Sequence, residues 1–343
     1  MQFDAREISP LIREKAPLIL AEIKKARSIL LHCHPSPDPD SVGSALAMKF
    51  ALEQLGKKAT VIRGDSEIPQ AFMHFPGAGE IVKKNFGEVD LKEFDLFLIQ
   101  DTASPEMVSR KFLPTFPLAI KTIVIDHHAT NASYADINLV DLSSPATAFI
   151  IFQLFKEWGI EITPDIAADL FIGIYSDTGG LKYHPTDHRV FMAMADLVKV
   201  FPDFGKMVFT IENSETKDNL YFQAMALGSI ELSCGDNLAM TVVSNADLLK
   251  KGINKESARG DVIANMLKSV IGWNIGVSIV EIEPDKIKMN FRTRDADKFD
   301  VSKLAAAVGG GGHRAAAAAV VSGISLSDAK ALVVAKAKEL YNL

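Results

Sequence analysis

Hydrophobic and polar positions along the first half of the chain alternate between two periods, and this alternation predicts a parallel sheet. Short apolar runs predict strands at residues 28–34, 57–64, 94–101 and 120–126. A helical pattern at residues 41–56 connects the first two runs. Strands that alternate with helical segments are typical of β-α-β units, which build parallel sheets. After Pro145, apolar residues at helical spacing predict further helices at residues 147–159, 164–175 and 188–201.

The pattern changes in the second half, where strands dominate and helices are fewer. Strand-like runs lie at residues 237–244, 275–283 and 286–294, with helical patterns at 246–252 and 257–270. We therefore predict an α/β protein with a smaller, mixed α/β second domain. The predicted division is a doubly wound parallel-sheet domain at residues 1–210, a linker helix at 211–226 and the smaller domain at 227–343.

The composition supports folded domains and narrows the class of protein. Hydrophobic residues make up 48% of the 343 positions and charged residues 23%, so burial can offset the entropy of ordering the chain. A formal net charge of −6 argues against a long nucleic-acid footprint, which needs a basic stripe. Because no apolar run approaches the roughly 18 residues of a spanning helix, we expect no membrane association and a cytoplasmic location. The two cysteines, Cys33 and Cys234, indicate neither a disulfide framework nor a thiolate zinc site.

The loop after the first predicted strand has the outline of a metal site. His34 ends the strand, and Asp38 and Asp40 follow at +4 and +6 in a loop that contains three prolines. One imidazole and two carboxylates held in a stiff loop are suitable metal ligands. An alternative hypothesis is that Asp40 or Ser41 caps the helix that follows, and the loop alone does not decide between the two.

Other predicted strands of the first domain also end at carboxylates and histidines. Asp101 ends one strand, and Asp126, His127 and His128 end another. Because ligands bind at the carboxyl ends of strands in open α/β sheets, we expect these side chains to converge. So many like charges would repel strongly unless cations neutralised them. Carboxylates with imidazoles and no thiolate suit manganese, magnesium, cobalt or ferrous iron better than structural zinc.

A glycine-rich patch near the C-terminus supplies a second candidate site. Residues 305–321 read AAAVGGGGHRAAAAAVV, with four glycines directly before His313. One interpretation is a flexible linker. The alanine and valine residues on both sides favour a second interpretation, in which a glycine loop joins a buried helix to a buried strand and its backbone amides can approach a phosphate.

At these residues the sequence resembles the DHH phosphoesterase superfamily, whose name is the triplet Asp126-His127-His128. The first motif of that superfamily, HxxxDxDxxGS, is matched by residues 34–44, and a strand-end aspartate is matched by Asp101. An aspartate in a DT-type loop after an apolar helix is matched by Asp177. The GGGGH segment resembles the loop of the DHH-associated C-terminal domain. Ala318 departs from the family pattern, which usually has glycine there.

The resemblance implies a site for two divalent metal ions, with manganese as the first candidate. It assigns His34 and Asp38 to one ion, Asp40, His127 and Asp177 to the other, and Asp101 to both. It makes Asp126 a carboxylate that orients a ligand imidazole, and His128 a donor to the reacting phosphoryl oxygen. It assigns substrate binding to Arg294, Gly310, Gly311, Gly312 and His313. Arg292 lies on the same predicted strand. Of the two arginines, we favour Arg294 as the one that binds phosphate.

The resemblance also implies a reaction, the hydrolysis of a phosphoester by metal-activated water in a cleft between the domains. A chain of this length with only these two domains is similar to the nano-RNase and pAp-phosphatase branch. That branch implies 3'-5' exoribonuclease activity on short oligonucleotides, release of phosphate from adenosine 3',5'-bisphosphate, or both. Alternatives are a soluble phosphodiesterase for cyclic or linear dinucleotides, an exopolyphosphatase or pyrophosphatase, and a non-catalytic nucleotide-binding protein. The oligomeric state stays open, with a homodimer among the possibilities.

Overall fold

The computed structural model describes residues 3–343, which divide into two compact units. The first unit ends at Ser214 and the second begins at Glu215. The helix Lys217–Gly228 covers much of the predicted linker and packs within the second unit. Within the described residues, no helix is long and apolar enough to cross a membrane.

The first unit is a parallel sheet packed against α-helices, as predicted. Its strands are β1 Ser28–His32, β2 Lys58–Ile62, β3 Leu96–Gln100, β4 Lys121–Asp126 and β5 Ile137–Val140. Its α-helices are α1 Pro10–Lys25, α2 Pro39–Gln54, α3 Thr147–Trp158, α4 Pro164–Asp177, α5 His188–Val200 and α6 Phe204–Glu212. One face of the sheet packs against these helices, and the other is covered by short 3₁₀ turns and loops.

The order of strands explains why polar residues meet at one edge of this sheet. All neighbours are parallel, in the order β2-β1-β3-β4-β5. Chain connections leave β1 in one direction and β3 in the other, so a crevice opens between the carboxyl ends of these two strands. The segments that carry His34 and Asp101 begin at this point.

Two glycines allow helices α2 and α4 to cross very closely. A Cβ added at Gly43 would lie 2.4 Å from the backbone oxygen of Asp169, and one at Gly173 would lie 2.9 Å from Oδ1 of Asp40. Neither position therefore accepts a side chain without backbone movement. The glycine of the HxxxDxDxxGS motif thus serves helix packing, which places Asp40 against α4.

The second unit is a mixed six-stranded sheet, which confirms the predicted class of this domain. Its strands are β6 Glu231–Ser233, β7 Leu238–Val243, β8 Ile275–Glu283, β9 Lys286–Thr293, β10 Gly311–Gly312 and β11 Ala316–Ser322. Its α-helices are α7 Lys217–Gly228, α8 Asn245–Lys251, α9 Gly260–Ser269, α10 Val301–Ala307 and α11 Leu326–Tyr341. The order is β10-β11-β9-β8-β7-β6, with β7 and β8 parallel and the other pairs antiparallel.

Candidate active site

Asp38 combines the two roles that the sequence left open for its loop. It is the N-cap of α2, and its Oδ1 accepts a hydrogen bond of 2.9 Å from the backbone amide of Ser41. Its Oδ2 lies 3.6 Å from Nε2 of His34. The predicted caps, Asp40 and Ser41, are both inside the helix, so that assignment was wrong. One carboxyl group both starts α2 and faces the candidate metal ligands.

Asp40 is fully buried and receives the first amides of helix α3. The backbone amides of Thr147 and Ala148 donate to its two oxygens at 2.7 and 2.9 Å. A helix N-terminus carries partial positive charge, which stabilises a carboxylate. Burial nevertheless raises the pKa of Asp40, and the charges of Asp101 and Asp177 raise it further. A bound cation would offset this cost directly.

Asp101 lies between the other candidate ligands. Its Oδ2 is 3.4 Å from Nε2 of His34, and its Oδ1 is 3.6 Å from Nε2 of His127. The hydroxyl of Thr147 donates to Oδ1 at 3.2 Å. The backbone of Asp101 has φ of +53°, a left-handed conformation that costs a non-glycine residue about 1 kcal/mol or more. The fold therefore maintains an unfavourable backbone to place this carboxylate.

His127 and Asp177 complete the cluster from β4 and α4. Nε2 of His127 lies 3.2 Å from Oδ2 of Asp177, yet this buried nitrogen has no hydrogen-bond partner. Asp177 is the last residue of α4, whereas the sequence placed it in a loop after that helix. A buried ring nitrogen that faces carboxylates without a hydrogen bond is suited to bind a cation.

Asp126 orients a different imidazole from the one expected. Its Oδ1 accepts from Nδ1 of His128 at 2.8 Å, and its Oδ2 accepts from the Asn131 amide at 2.6 Å. His127, the ligand candidate, contacts Asp126 only through its backbone amide, at 2.9 Å. Of the two neighbouring imidazoles, Asp126 therefore orients that of His128, which the resemblance assigned to the phosphoryl oxygen.

These side chains form overlapping groups whose donor atoms lie within 4.8 Å of one another. The groups are His34 with Asp38 and Asp101, Asp40 with His127 and Asp177, and Asp101 with His127 and His128. Ligand atoms about 2.1 Å from a common ion are roughly 3.0 to 3.4 Å apart. The measured separations of 3.2 to 3.6 Å are close to that range. The donor set therefore fits divalent cations.

The negative potential of the cluster also acts on its histidines. Burial lowers the pKa of His34, but the carboxylates of Asp101 and Asp38 outweigh it and raise this pKa to about 11. At His128 the same opposition, with Asp126 as the main partner, raises the pKa to about 9. Either protons or metal cations must offset so much carboxylate charge.

The glycine loop of the second unit joins α10 to β11, as the favoured interpretation predicted. The amides of Gly309 and Gly310 donate to carbonyls of α10, and that of His313 donates to Ala316 at 2.8 Å. These three amides are therefore engaged within the second unit and are not available to a phosphate. Close packing explains two of the glycines, since a Cβ at Gly310 would lie 2.2 Å from the backbone oxygen of Ala318 and one at Gly312 would lie 2.6 Å from Cα of Ala317. Residues 311–313 of the loop are exposed, so the imidazole of His313 is accessible.

The two candidate arginines have different surroundings. Arg294 follows the last residue of β9, and its Nη1 donates to the carbonyls of Ser269 and Val270 at 3.4 and 3.0 Å. It therefore satisfies the C-terminal end of α9. Arg292 lies within β9, in register with Gly276 and Ala316. The backbone of Arg292 therefore lies in the sheet, whereas the side chain of Arg294 binds carbonyls at the end of helix α9.

Two residues of the first unit that were not predicted donate hydrogen bonds to carboxylates of the site. Thr147 donates to Asp101, and Asn131 donates to Asp126. Hydroxyl and amide donors of this kind have no characteristic spacing from the side chains they support. The only sequence signal was position, since Asn131 follows the histidine pair and Thr147 begins a helix.

Models of two protein domains match the chain. A model of the DHH family N-terminal domain matches residues 28–174, and a model of the DHHA1 domain matches residues 236–341. The chain therefore belongs to the DHH phosphoesterase family, which confirms the resemblance, and is a hydrolase of phosphate ester bonds.

Two relatives and one solved structure are similar to the chain over most of its length. The chain is 28% identical over 341 residues to the bifunctional oligoribonuclease and PAP phosphatase NrnA of Thermus thermophilus, covering 98% of this chain and 97% of that protein. It is 26% identical over 274 residues to the Bacillus subtilis protein of the same name, covering 78% and 82%. Among solved structures, an exopolyphosphatase-related protein from Bacteroides fragilis matches with a TM-score of 0.86 and 20% identity, covering 96% and 98%, which confirms the fold.

Proposed function

We propose that the protein hydrolyses short oligoribonucleotides from the 3' end and removes the 3'-phosphate of adenosine 3',5'-bisphosphate. The observation that carries this proposal is the position of Asp101, whose two carboxylate oxygens face His34 on one side and His127 on the other. The names of the two bifunctional relatives supply the substrate class.

In this proposal His34, Asp38, Asp40, His127 and Asp177 hold two divalent cations, with Asp101 shared. When bound, the cations supply Lewis acidity that activates a water and offsets charge at phosphorus. Manganese is our first candidate, because it accepts carboxylate and imidazole ligands together.

His128 has the properties of a donor to the phosphoryl oxygen. Its Nδ1 is held by Asp126, its side chain is 35% exposed, and Asp126 outweighs the effect of burial and raises its pKa, which favours the protonated ring. Nε2 is then left to donate to the substrate. The water oxygen forms a bond to phosphorus, the ester bond breaks, and the released nucleoside oxygen takes up a proton.

A substrate panel with manganese tests the assignment. It contains a diribonucleotide, a long oligonucleotide, adenosine 3',5'-bisphosphate, cyclic di-AMP and pyrophosphate. We expect the highest kcat/KM on the diribonucleotide or the bisphosphate. Fastest turnover of pyrophosphate would overturn the nucleotide assignment, and fastest turnover of cyclic di-AMP would favour the phosphodiesterase alternative.

Asp101→Asn tests the shared ligand. Loss of one carboxylate charge from both cation positions should lower kcat by at least about 1,000-fold, since two-metal stabilisation supplies several kcal/mol. Isothermal titration with manganese should show that at least one binding event is lost or weakened. Activity within about tenfold of the parent would contradict a dinuclear site.

The glycine loop residues Gly310, Gly311, Gly312 and His313, together with Arg294, are our candidates for binding the nucleotide. His313→Ala should leave the metal content unchanged and raise KM for nucleotide substrates. A small activated ester such as bis-p-nitrophenyl phosphate should be affected far less. Arg294→Ala and Arg292→Ala, compared in the same assay, decide which arginine binds phosphate, and equal losses on both substrate types would reject a binding role.

A further inference from the structure

The residue after Asp101, Thr102, is anchored by its side chain to two strands of the first unit. Thr102 is fully buried, and its hydroxyl donates to the carbonyl of Gln100 at 2.7 Å. The same hydroxyl oxygen lies 3.3 Å from Nε2 of His32. Because the single hydrogen of the hydroxyl is already donated, this oxygen accepts from the ring. The side chain of Thr102 therefore has partners on both β3 and β1.

The carbonyl of Thr102 accepts two further hydrogen bonds from the loop that follows His128. The phenol of Tyr134 donates to it at 3.0 Å, and Nδ2 of Asn131 donates at 3.3 Å. Nδ2 of Asn131 also donates to Oδ2 of Asp126 at 2.6 Å, so its two hydrogens are both engaged. We call the two donors on this carbonyl, Asn131 and Tyr134, the Thr102 clamp.

Tyr134 is placed for this contact by its packing. Its ring lies edge-on to that of Phe116, with the centroids 4.7 Å apart and 71° between the planes. Burial raises the pKa of Tyr134 far above its usual value, so the phenol remains a hydrogen-bond donor. A buried carbonyl that loses such a donor is left with an unsatisfied polar group, which is unfavourable. The phenol therefore stabilises one position of the Thr102 carbonyl.

Hydrogen bonds fix the backbone on both sides of Asp101. Its own amide donates to the carbonyl of Ile125 at 3.0 Å, and the next residue is the anchored Thr102. One residue further, the carbonyl of Ala103 accepts from the amide of Ala132 at 3.1 Å. Asp101 therefore cannot leave its left-handed conformation, with φ of +53°, unless at least one of these contacts breaks.

We propose that Tyr134 is a positioning residue, which acts through the Thr102 clamp to hold the Asp101 carboxylate toward both cation positions before a cation binds. The inference rests on the proposed function, in which Asp101 is the shared ligand. Without the phenol, part of the metal-free protein relaxes to an ordinary backbone at Asp101. The apparent metal affinity then falls in proportion to the fraction that remains competent. Saturating metal restores the competent form, because it binds that form better.

Manganese titration of Tyr134→Phe tests this role, since the variant keeps the ring and removes only the phenol. The control is Tyr341→Phe, which removes a matching hydrogen bond within the second unit, from a phenol to the carbonyl of Asp300 at 2.7 Å. Isothermal titration without substrate should show about three- to fivefold weaker manganese binding for Tyr134→Phe, as expected for one lost hydrogen bond, and parent-like binding for the control.

Kinetics with bis-p-nitrophenyl phosphate supply a second readout. The manganese concentration for half-maximal activation should rise by the same factor in Tyr134→Phe. At saturating manganese, kcat should recover to within about twofold of the parent, because the metal then selects the competent backbone. A kcat deficit that saturating manganese does not reduce would overturn a role before metal binding.

Manganese affinity equal to that of the parent, or an equal loss in Tyr341→Phe, would also overturn the proposal. Urea denaturation of the metal-free protein identifies a merely structural role, which would lower the unfolding midpoint without changing the affinity of the folded protein. Should Tyr134→Phe fail to fold, Thr102→Val removes the hydroxyl anchor and should weaken manganese binding in the same way. Absence of manganese binding by the parent rejects the proposed function, whereas parent binding with an unchanged Tyr134→Phe rejects the positioning role alone.

Discussion

The carboxylate of Asp126 holds the imidazole of His128, with Oδ1 2.8 Å from Nδ1. Asp126 is fully buried, and Asn131 engages its second oxygen. Burial lowers the pKa of His128, and Asp126 more than compensates, so that this pKa is raised to about 9. The orientation of the partly exposed His128 ring is therefore set by a fully buried carboxylate.

Because Asp126 acts through His128, their substitutions should not be additive. We expect Asp126→Asn and His128→Ala each to lower kcat by about 10- to 100-fold. In the His128→Ala background, Asp126→Asn should cost less than about threefold more. Steady-state kinetics of the four proteins give the coupling. Fully multiplicative losses would mean that Asp126 acts by another route, such as the His127 backbone.

Thr147 offers a milder test of the Asp101 environment. Its hydroxyl donates to Oδ1 of Asp101 at 3.2 Å, inside a fully buried contact. Thr147→Val keeps the shape and removes one hydrogen bond, which is worth about 1 kcal/mol, or roughly fivefold in rate. Thr147→Ser, which keeps the hydroxyl, is the matched control and should retain most of the activity. Equal kcat/KM for the valine variant and the parent would show that the contact does not support catalysis.

The crossing of α2 and α4 makes a prediction about stability. Gly43→Ala places a Cβ 2.4 Å from a backbone oxygen, so we expect a loss of about 1 to 3 kcal/mol in the free energy of unfolding. Gly205 in α6 has nothing within 4 Å of its Cβ position, and Gly205→Ala should be neutral or slightly stabilising. Urea denaturation measures both. Equal stability of the two variants would contradict the packing argument.

The sequence predicted the first unit well because its signals are local. Buried parallel strands are continuous apolar runs, and their carboxyl ends share one edge, so His34, Asp101 and His127 could be grouped without a structure. Strand β5 and helices α1, α6 and α11 were not predicted. Hydrogen bonds between distant segments, such as Thr147 to Asp101, depend on packing that no local pattern encodes.

The second unit shows where local reasoning fails. The glycine loop was correctly placed between a helix and a strand, but its amides were expected to be free and three of them are engaged. Arg294 was preferred over Arg292 on a shared strand face, yet β9 ends one residue before Arg294. A shift of one position in a strand end decides which arginine lies on the sheet, and sequence patterns do not resolve ends that finely.

A second feature without a sequence signal is the buried carboxyl of Asp169 on α4. Both of its oxygens are buried without a hydrogen-bond partner, and its backbone oxygen packs against Gly43. Burial, with a further contribution from Asp165, raises the pKa of Asp169 well above its usual value. The carboxyl is therefore neutral in the folded protein under conditions where it is ionised in the unfolded chain.

The sign of the resulting pH dependence follows from proton uptake. Above an unfolded-state pKa of about 3.9, the folded state binds one more proton than the unfolded state, so stability falls as the pH rises toward the folded-state pKa. Asp169→Asn removes this titration, and we expect its Tm to exceed that of the parent by a few degrees at pH 8 and by less at pH 5. Asp203→Asn, at an exposed position before helix α6 whose side chain makes no capping hydrogen bond, is the control and should retain the parent's decline. Thermal denaturation at pH 5 and pH 8 measures the fall in Tm between the two pH values. If Asp169→Asn shows the same fall in Tm as the parent, Asp169 is not the group responsible.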